Sequence, residues 1–224
     1  MEREMEKSDN PTMKQGLLTL LAALLMVSLL FGCGDHHEEP ATFVSQIVSD
    51  PGADGDISFT PPSTYVISSA LTTHRVLAGV DPVSGDEFRG FLDFPLGGSG
   101  GVPSNAIINS ATLEIVINAV SVATPGDTVP MILDLVTFQP PSLISTDFDR
   151  SIQPPLISLF FIFFESDAAN NVAIDITPLM EEAQRRGLPD LQVRLLLDFS
   201  ATSGLIEIDD NTVATAPLLT VQYF

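Results

Sequence analysis

The chain reads as all-β: a single β-sandwich or jelly-roll domain with one short helix, preceded by a signal-peptide segment. Three observations predict this. Short runs rich in Val, Ile, Leu, Phe and Thr recur at spacings of roughly 8–14 residues, as in sandwiches and jelly rolls. Turn compositions separate them: PGADGD, DPVSGDE, GGSGGVPSN, ATPGD and QPPS. Within Thr112–Asn118 and Leu205–Asp209 apolar and polar residues alternate, a period of two that puts one strand face on a core and the other in water.

Taken in order, the chain divides at residues 32 and 42. From Gly16 to Phe31 it runs sixteen residues without a charge. That is short for a membrane-spanning helix, which needs about 20 apolar residues, and suits the apolar core of a signal peptide. The lead-in MEREMEKSDNPT is mixed and slightly acidic, whereas Met13-Lys14-Gln15 supplies a positive lead-in directly before the run. Translation from Met13 therefore fits the pattern better than from Met1. The segment 1–32 ends at Cys33, the chain's one cysteine, which excludes a disulfide framework and any all-cysteine metal cluster. Residues 33–42, CGDHHEEPAT, form a polar tether. His36 and His37 beside Glu38 and Glu39 read as a solvated linker.

The body, 43–224, carries predicted strands at Thr64–Ser69, Arg75–Val80, Phe88–Phe94, Ala111–Val120, Val129–Phe138, Val172–Ile176, Leu191–Phe199, Leu205–Ile208 and Leu218–Tyr223. The most apolar stretch, Leu156–Phe164 (LISLFFIFF), is too short to span a bilayer as a helix. It reads as a central strand buried on both sides; the alternative is an exposed hydrophobic face that meets a partner or a lipid surface. One helix is predicted near 178–186, capped by Thr177, with Pro178 in its first turn, Arg185 and Arg186 in its last, and Gly187 ending it. Leu179, Met180 and Ala183 share a side, which suits a lid on one end of the domain.

Charge restricts the partners. The sequence holds 9 basic and 29 acidic residues, a formal net charge of −20. From Cys33 onward there are 6 Arg, no Lys and 25 Asp plus Glu. Phosphate backbones are bound by neutralising Lys and Arg, so nucleic acid is excluded as a partner. Anionic headgroups are equally ill-suited to holding the body by electrostatics.

Catalysis finds little support. A Ser–His–Asp arrangement needs a His that moves a proton; the body contains only His74, beside Arg75, with no G-x-S-x-G elbow. Glycoside hydrolysis needs two suitably spaced carboxylates, and no motif singles out a pair. Calcium is the better chemical candidate, since it gathers several oxygen ligands from a bent loop. Asp50-Pro-Gly-Ala-Asp-Gly-Asp56 places Asp50, Asp54 and Asp56 around two glycines. Asp81–Glu87 and Asp209–Asn211 are further acidic turns, and none follows the EF-hand pattern. Sugar recognition by aromatic stacking has little to work with: there is no Trp, Tyr occurs only at 65 and 223, and the fourteen Phe lie largely within apolar strands.

Two resemblances add to this. Leu30-Phe31-Gly32-Cys33 resembles the bacterial lipoprotein box, with an aliphatic residue three before the Cys and a small residue immediately before it. The resemblance implies that Cys33 is the lipidated first residue of the mature protein. Gly34, rather than Asp, after the Cys implies the outer membrane rather than the inner. The body is similar to the DNRLRE-domain family, β-sandwich modules of secreted bacterial proteins related to carbohydrate-binding modules. The likeness rests on Arg89-Gly-Phe-Leu-Asp-Phe-Pro-Leu96 followed by Val102–Leu113, on Val172–Met180, and on Ala216–Tyr223. The family's tryptophan-containing middle segments are missing here. The expected protein is therefore a non-catalytic, lipid-anchored cell-envelope module, structural or adhesive, using LISLFFIFF or an edge strand. A glycan-binding module supported by calcium is the alternative, and a two-carboxylate hydrolase the third reading.

Overall fold

The computed structural model describes residues 41–139 and 142–224, so Met13, Cys33, His36, His37 and the predicted signal peptide lie outside the described residues. Twelve strands among the described residues pair antiparallel throughout: β1 (Phe43–Val48), β2 (Gly55–Thr60), β3 (Thr64–Ser69), β4 (Arg75–Val80), β5 (Glu87–Pro95), β6 (Ile108–Ser121), β7 (Thr128–Val136), β8 (Ile157–Phe164), β9 (Asn170–Asp175), β10 (Asp190–Leu197), β11 (Gly204–Asp209) and β12 (Leu218–Tyr223). One turn of helix, α1 (Ala70–Thr73), joins β3 to β4, and α2 (Thr177–Arg186) follows β9. The fold is all-β, as the sequence predicts. Every predicted strand is present; β1 and β2 are additional. Gly55 and Asp56, which open β2, are turn formers by composition and belong to the stretch read as a loop.

The sheet order is β1-β12-β6-β11-β4-β5-β10-β7-β8, with β2 bridging β3 and β5, and β9 on β6. The fourteen-residue β6 makes this possible: it pairs β12 along Ile108–Glu114, β9 along Thr112–Ile117 and β11 along Ile117–Ser121. Its alternation is the one visible in the sequence, with Ala111, Leu113, Ile115 and Ile117 buried. Where β4 meets β11, Gly79 has φ +123°, and a Cβ there would stand 2.0 Å from Gly204 O, so no other residue fits without moving the strand.

One large core takes side chains from β4, β5, β6, β7, β10, β11, β12 and α2. Each fully buried Leu, Ile or Phe in it favours the folded state by roughly 1.5–3 kcal/mol over exposure. Strands β5, β7 and β10 are buried on both faces. Their second face, with Phe91 and Val136, packs with Ala53, Ile57, Phe138, Leu143 and Phe148 in a smaller cluster. Phe138, Leu143 and Phe148 belong to the long β7–β8 connection, which thus lies across the outside of the sheet. Helix α2 buries Leu179, Met180 and Ala183 in the main core, as predicted. Its entry differs: Thr177 does not cap the helix by its side chain. Instead Asp175 Oδ1 accepts from Thr177 N (2.9 Å) and Thr177 Oγ1 (2.6 Å), and Thr177 Oγ1 accepts from Ala111 N (2.9 Å), tying the turn to β6. Gly187, with φ +65°, ends the helix.

Candidate functional site

The acidic turn between β1 and β2 is built from its own backbone. Asp50 Oδ1 accepts from Gly52 N (2.9 Å), and Asp50 O accepts from Ala53 N (2.9 Å) and Asp54 N (2.8 Å). This tightening turns Asp54 inward, to 1% exposure, where its Oδ1 accepts from Asp93 N of β5 at 2.6 Å. Asp50 stays exposed. Asp56 points to β4 instead, accepting from Leu77 N at 3.2 Å, and burial pushes its carboxyl up to about 6. Asp50, Asp54 and Asp56 therefore take three directions. Among the described residues no three His, Cys, Asp or Glu side chains converge to hold a metal ion.

What the fold places against Asp54 is Asp210, from the turn after β11, whose N–H donates to His74 O at 3.1 Å. Ser49, at the end of β1, is fixed beside them by its N–H to Pro217 O at 2.9 Å. Asp210 and Ser49 are each 4% exposed. Both are close enough to act on the Asp54 carboxyl, yet Ser49 Oγ, Asp54 Oδ2 and both Asp210 oxygens close no hydrogen bond of ordinary geometry. Burial raises Asp54 well above the usual carboxylate range, and the neighbouring charges of Asp210 and Asp93 add to this. Burial, with the charge of Asp209 next, raises Asp210 to about 6. A cleft of ≈ 200 Å³, lined by Ala53, Asp54, Ile67, Ser68, Ser69, Ser142 and Leu143, opens onto Asp54.

A second buried acid is handled differently. Asp134 of β7 and Arg194 of β10 are both fully buried, and Arg194 Nη2 donates to Asp134 Oδ2 at 2.8 Å. Arg150 joins them, at 3.0 Å to Asp134 Oδ1. Arg194 also donates to Asp147 O (2.8 Å) and Gln153 O (3.2 Å), and Arg89 donates to Phe148 O with its guanidinium 4.0 Å above the Phe148 ring. These bonds clamp the β7–β8 connection onto the sheet. The signal was present in the sequence as an Arg inside LQVRLLL, since a charge within an apolar strand needs a partner.

Two surface features complete the inventory. His74, Arg75, Asn118, Glu207, Asp209 and Asn211 line an open polar cleft of ≈ 420 Å³, with Arg75 and Glu207 paired at 2.9 Å. His74 itself is an exposed residue with a left-handed backbone (φ +59°) that ends α1. The strand read as buried on both sides is at the end of the sheet: among the described residues β8 pairs with β7 alone. Only Phe163 is fully buried, while Phe160, Ile162 and Phe164 are exposed, Phe160 to 70%. The expectation fails because apolar composition says that a strand has a hydrophobic face, not that a neighbouring element covers it. Among the described residues no helix is long and apolar enough to cross a membrane. No protein-family model matches the chain, and no curated protein matches it.

Proposed function

We propose that this chain is a non-catalytic, lipid-anchored module of the bacterial cell envelope, a single β-sandwich of jelly-roll type that binds a partner protein along β8. The observation that carries the binding reading is the state of that strand. Phe160, Ile162 and Phe164 alternate along its outer face, where they stand opposite Ile132, Pro130 and Thr128 of β7. Phe199 adds a further exposed ring, with the Arg150 guanidinium 5.2 Å from its centroid. Residues 157–164 contain no charge and no Pro. Natural edge strands are normally guarded by such residues, so an unguarded apolar edge fits a strand that is covered when the protein works. A charge of −20 opposes pairing of two copies and approach to anionic lipid. The occupant we assign is a neutral or basic extended segment of another envelope protein, added to the open edge of β8.

The anchor rests on the LFGC pattern at Leu30–Cys33, and Gly34 favours the outer membrane. Seven residues separate Cys33 from Ala41, eight chain steps with a reach of at most about 28 Å from the bilayer. Two experiments test the reading. Cys33→Ser should abolish labelling by a fatty-acid probe; persistent labelling refutes the lipoprotein assignment. A photo-crosslinker placed at Phe160 in intact cells should give one discrete protein adduct that Cys33→Ser removes. Lipid adducts alone, or dimers of the chain, would refute partner binding along β8.

A second reading, a glycan-binding module, is favoured by the open polar cleft around His74 and Asn118, whose hydroxyl-seeking side chains suit a sugar edge. It lacks an aromatic stacking face in that lining, which ranks it second. A glycan-array screen with and without calcium tests it, and silence under both conditions removes it.

A further inference from the structure

We infer that Asp54, Asp210 and Ser49 are the protein ligands of one hard divalent cation of the calcium class, which ties the β1–β2 turn to the turn after β11. The site does not depend on the proposed role of β8. Four side-chain oxygens carry the argument: Asp54 Oδ2, Asp210 Oδ1, Asp210 Oδ2 and Ser49 Oγ. All are buried, and none closes a hydrogen bond of ordinary geometry, although the Ser49 hydroxyl and the Asp210 carboxyl both lie within reach of the Asp54 carboxyl. Leaving a buried polar atom unpaired costs about 1–3 kcal/mol, more for a charged one, so four at one place point to something that satisfies them together.

Each oxygen is held in place by the backbone that carries it. Asp54 Oδ1 is taken by Asp93 N, which leaves Oδ2 free, and Asp54 N and O are bonded to Asp50 O and Ala70 N. Ser49 N is bonded to Pro217 O, and Asp210 N to His74 O. Three chain segments thus converge with their ligand atoms preset. The charge also balances. Neither carboxylate has a guanidinium bonded to it, and the groups that bear on them are each other, Ser49, Asp50, Asp93, Asp209 and His74. Two carboxylates neutralise one dication. An all-oxygen set with one single-oxygen and one two-oxygen carboxylate plus a hydroxyl is calcium chemistry, which takes 6–8 oxygens and readily completes them with water. A cleft of ≈ 200 Å³ borders Asp54 on one side.

With two acidic ligands the site belongs to the weak class, with Kd roughly 10⁻⁴–10⁻³ M. The test uses the full chain in detergent, stripped with a chelator, then titrated with CaCl2 by calorimetry and followed by thermal unfolding. The expected result is one ion per chain and a Tm that rises with calcium. Asp210→Asn should weaken binding about tenfold or more, and Ser49→Ala should weaken it less. Asp56→Asn, whose carboxylate serves β4, should leave it unchanged. No bound ion at about 10 mM calcium would overturn the inference, as would binding that Asp210→Asn and Ser49→Ala leave intact. A Tm insensitive to calcium but raised by acid would overturn it in favour of a proton shared by Asp54 and Asp210. Should Asp210→Asn fail to fold, stoichiometry on the wild type and the Ser49→Ala affinity decide.

Discussion

Asp134, within strand β7, and the Asp54–Asp210 pair, in two turns beside the sheet, are all buried carboxylates, and the protein deals with them in opposite ways. Asp134 sits between two guanidiniums, and Arg194 extends the network to the carbonyls of Asp147 and Gln153. Asp54 and Asp210 face each other with oxygens that close no hydrogen bond of ordinary geometry and with no guanidinium bonded to either. The first arrangement gives its carboxylate two guanidinium partners from within the chain and holds the β7–β8 connection in place. The second is incomplete within the chain and is a place where something else binds. Burial of an acid therefore does not by itself indicate structure or function; the partner list does.

The comparison can be broken in a definite order. Arg194→Ala should give the largest effect, because it leaves Asp134 short of a partner and frees two carbonyls. Chemical denaturation should show a loss of about 3–5 kcal/mol, the usual cost of breaking a buried pair. A loss under about 1 kcal/mol would mean that the network is not holding the connection. The opposite sign is expected at the other site. In chelator, Asp210→Asn should raise stability by about 1–2 kcal/mol, because it removes a buried like charge beside Asp54.

A pH titration sharpens the contrast further. Asp210 is raised to about 6 in the folded protein, against an ordinary carboxylate value of 3.8. A raised acid means that the folded state holds its proton more tightly than the unfolded one. Without divalent cations, stability should therefore fall as pH rises from about 4 through 6, and stay low above that. Tm measured in chelator should be higher at pH 5 than at pH 7, and calcium should restore it at pH 7. The smallest effect is on the outer face of β8. Phe160→Ser should change stability by no more than about 0.5 kcal/mol, since its ring is already in solvent, while removing the crosslinked partner adduct. A larger loss of stability would mean that the ring packs against something in the folded chain.

Much of this could be read from the residues. The period of two in Thr112–Asn118 gave β6 and its buried face, and the Pro178–Gly187 pattern gave α2 within a residue at each end. The turn PGADGD was recognisable as an acidic turn, but which of its acids would be buried was not. Asp50 and Asp54 differ by four positions, and only backbone bonds to Asp50 O decide that one faces water and the other β5. Strand β8 misled for a related reason: its residues specify an apolar strand whether or not a neighbour covers the second face.

The sequence by itself determined the all-β class, the helix, the acidic surface and the uncharged strand, because these follow from local periodicity and composition. Only the tertiary structure decided that Asp54 meets Asp210, that Arg194 meets Asp134, and that β8 closes the sheet. Those are outcomes of strand order and register, which bring together residues that no local pattern relates.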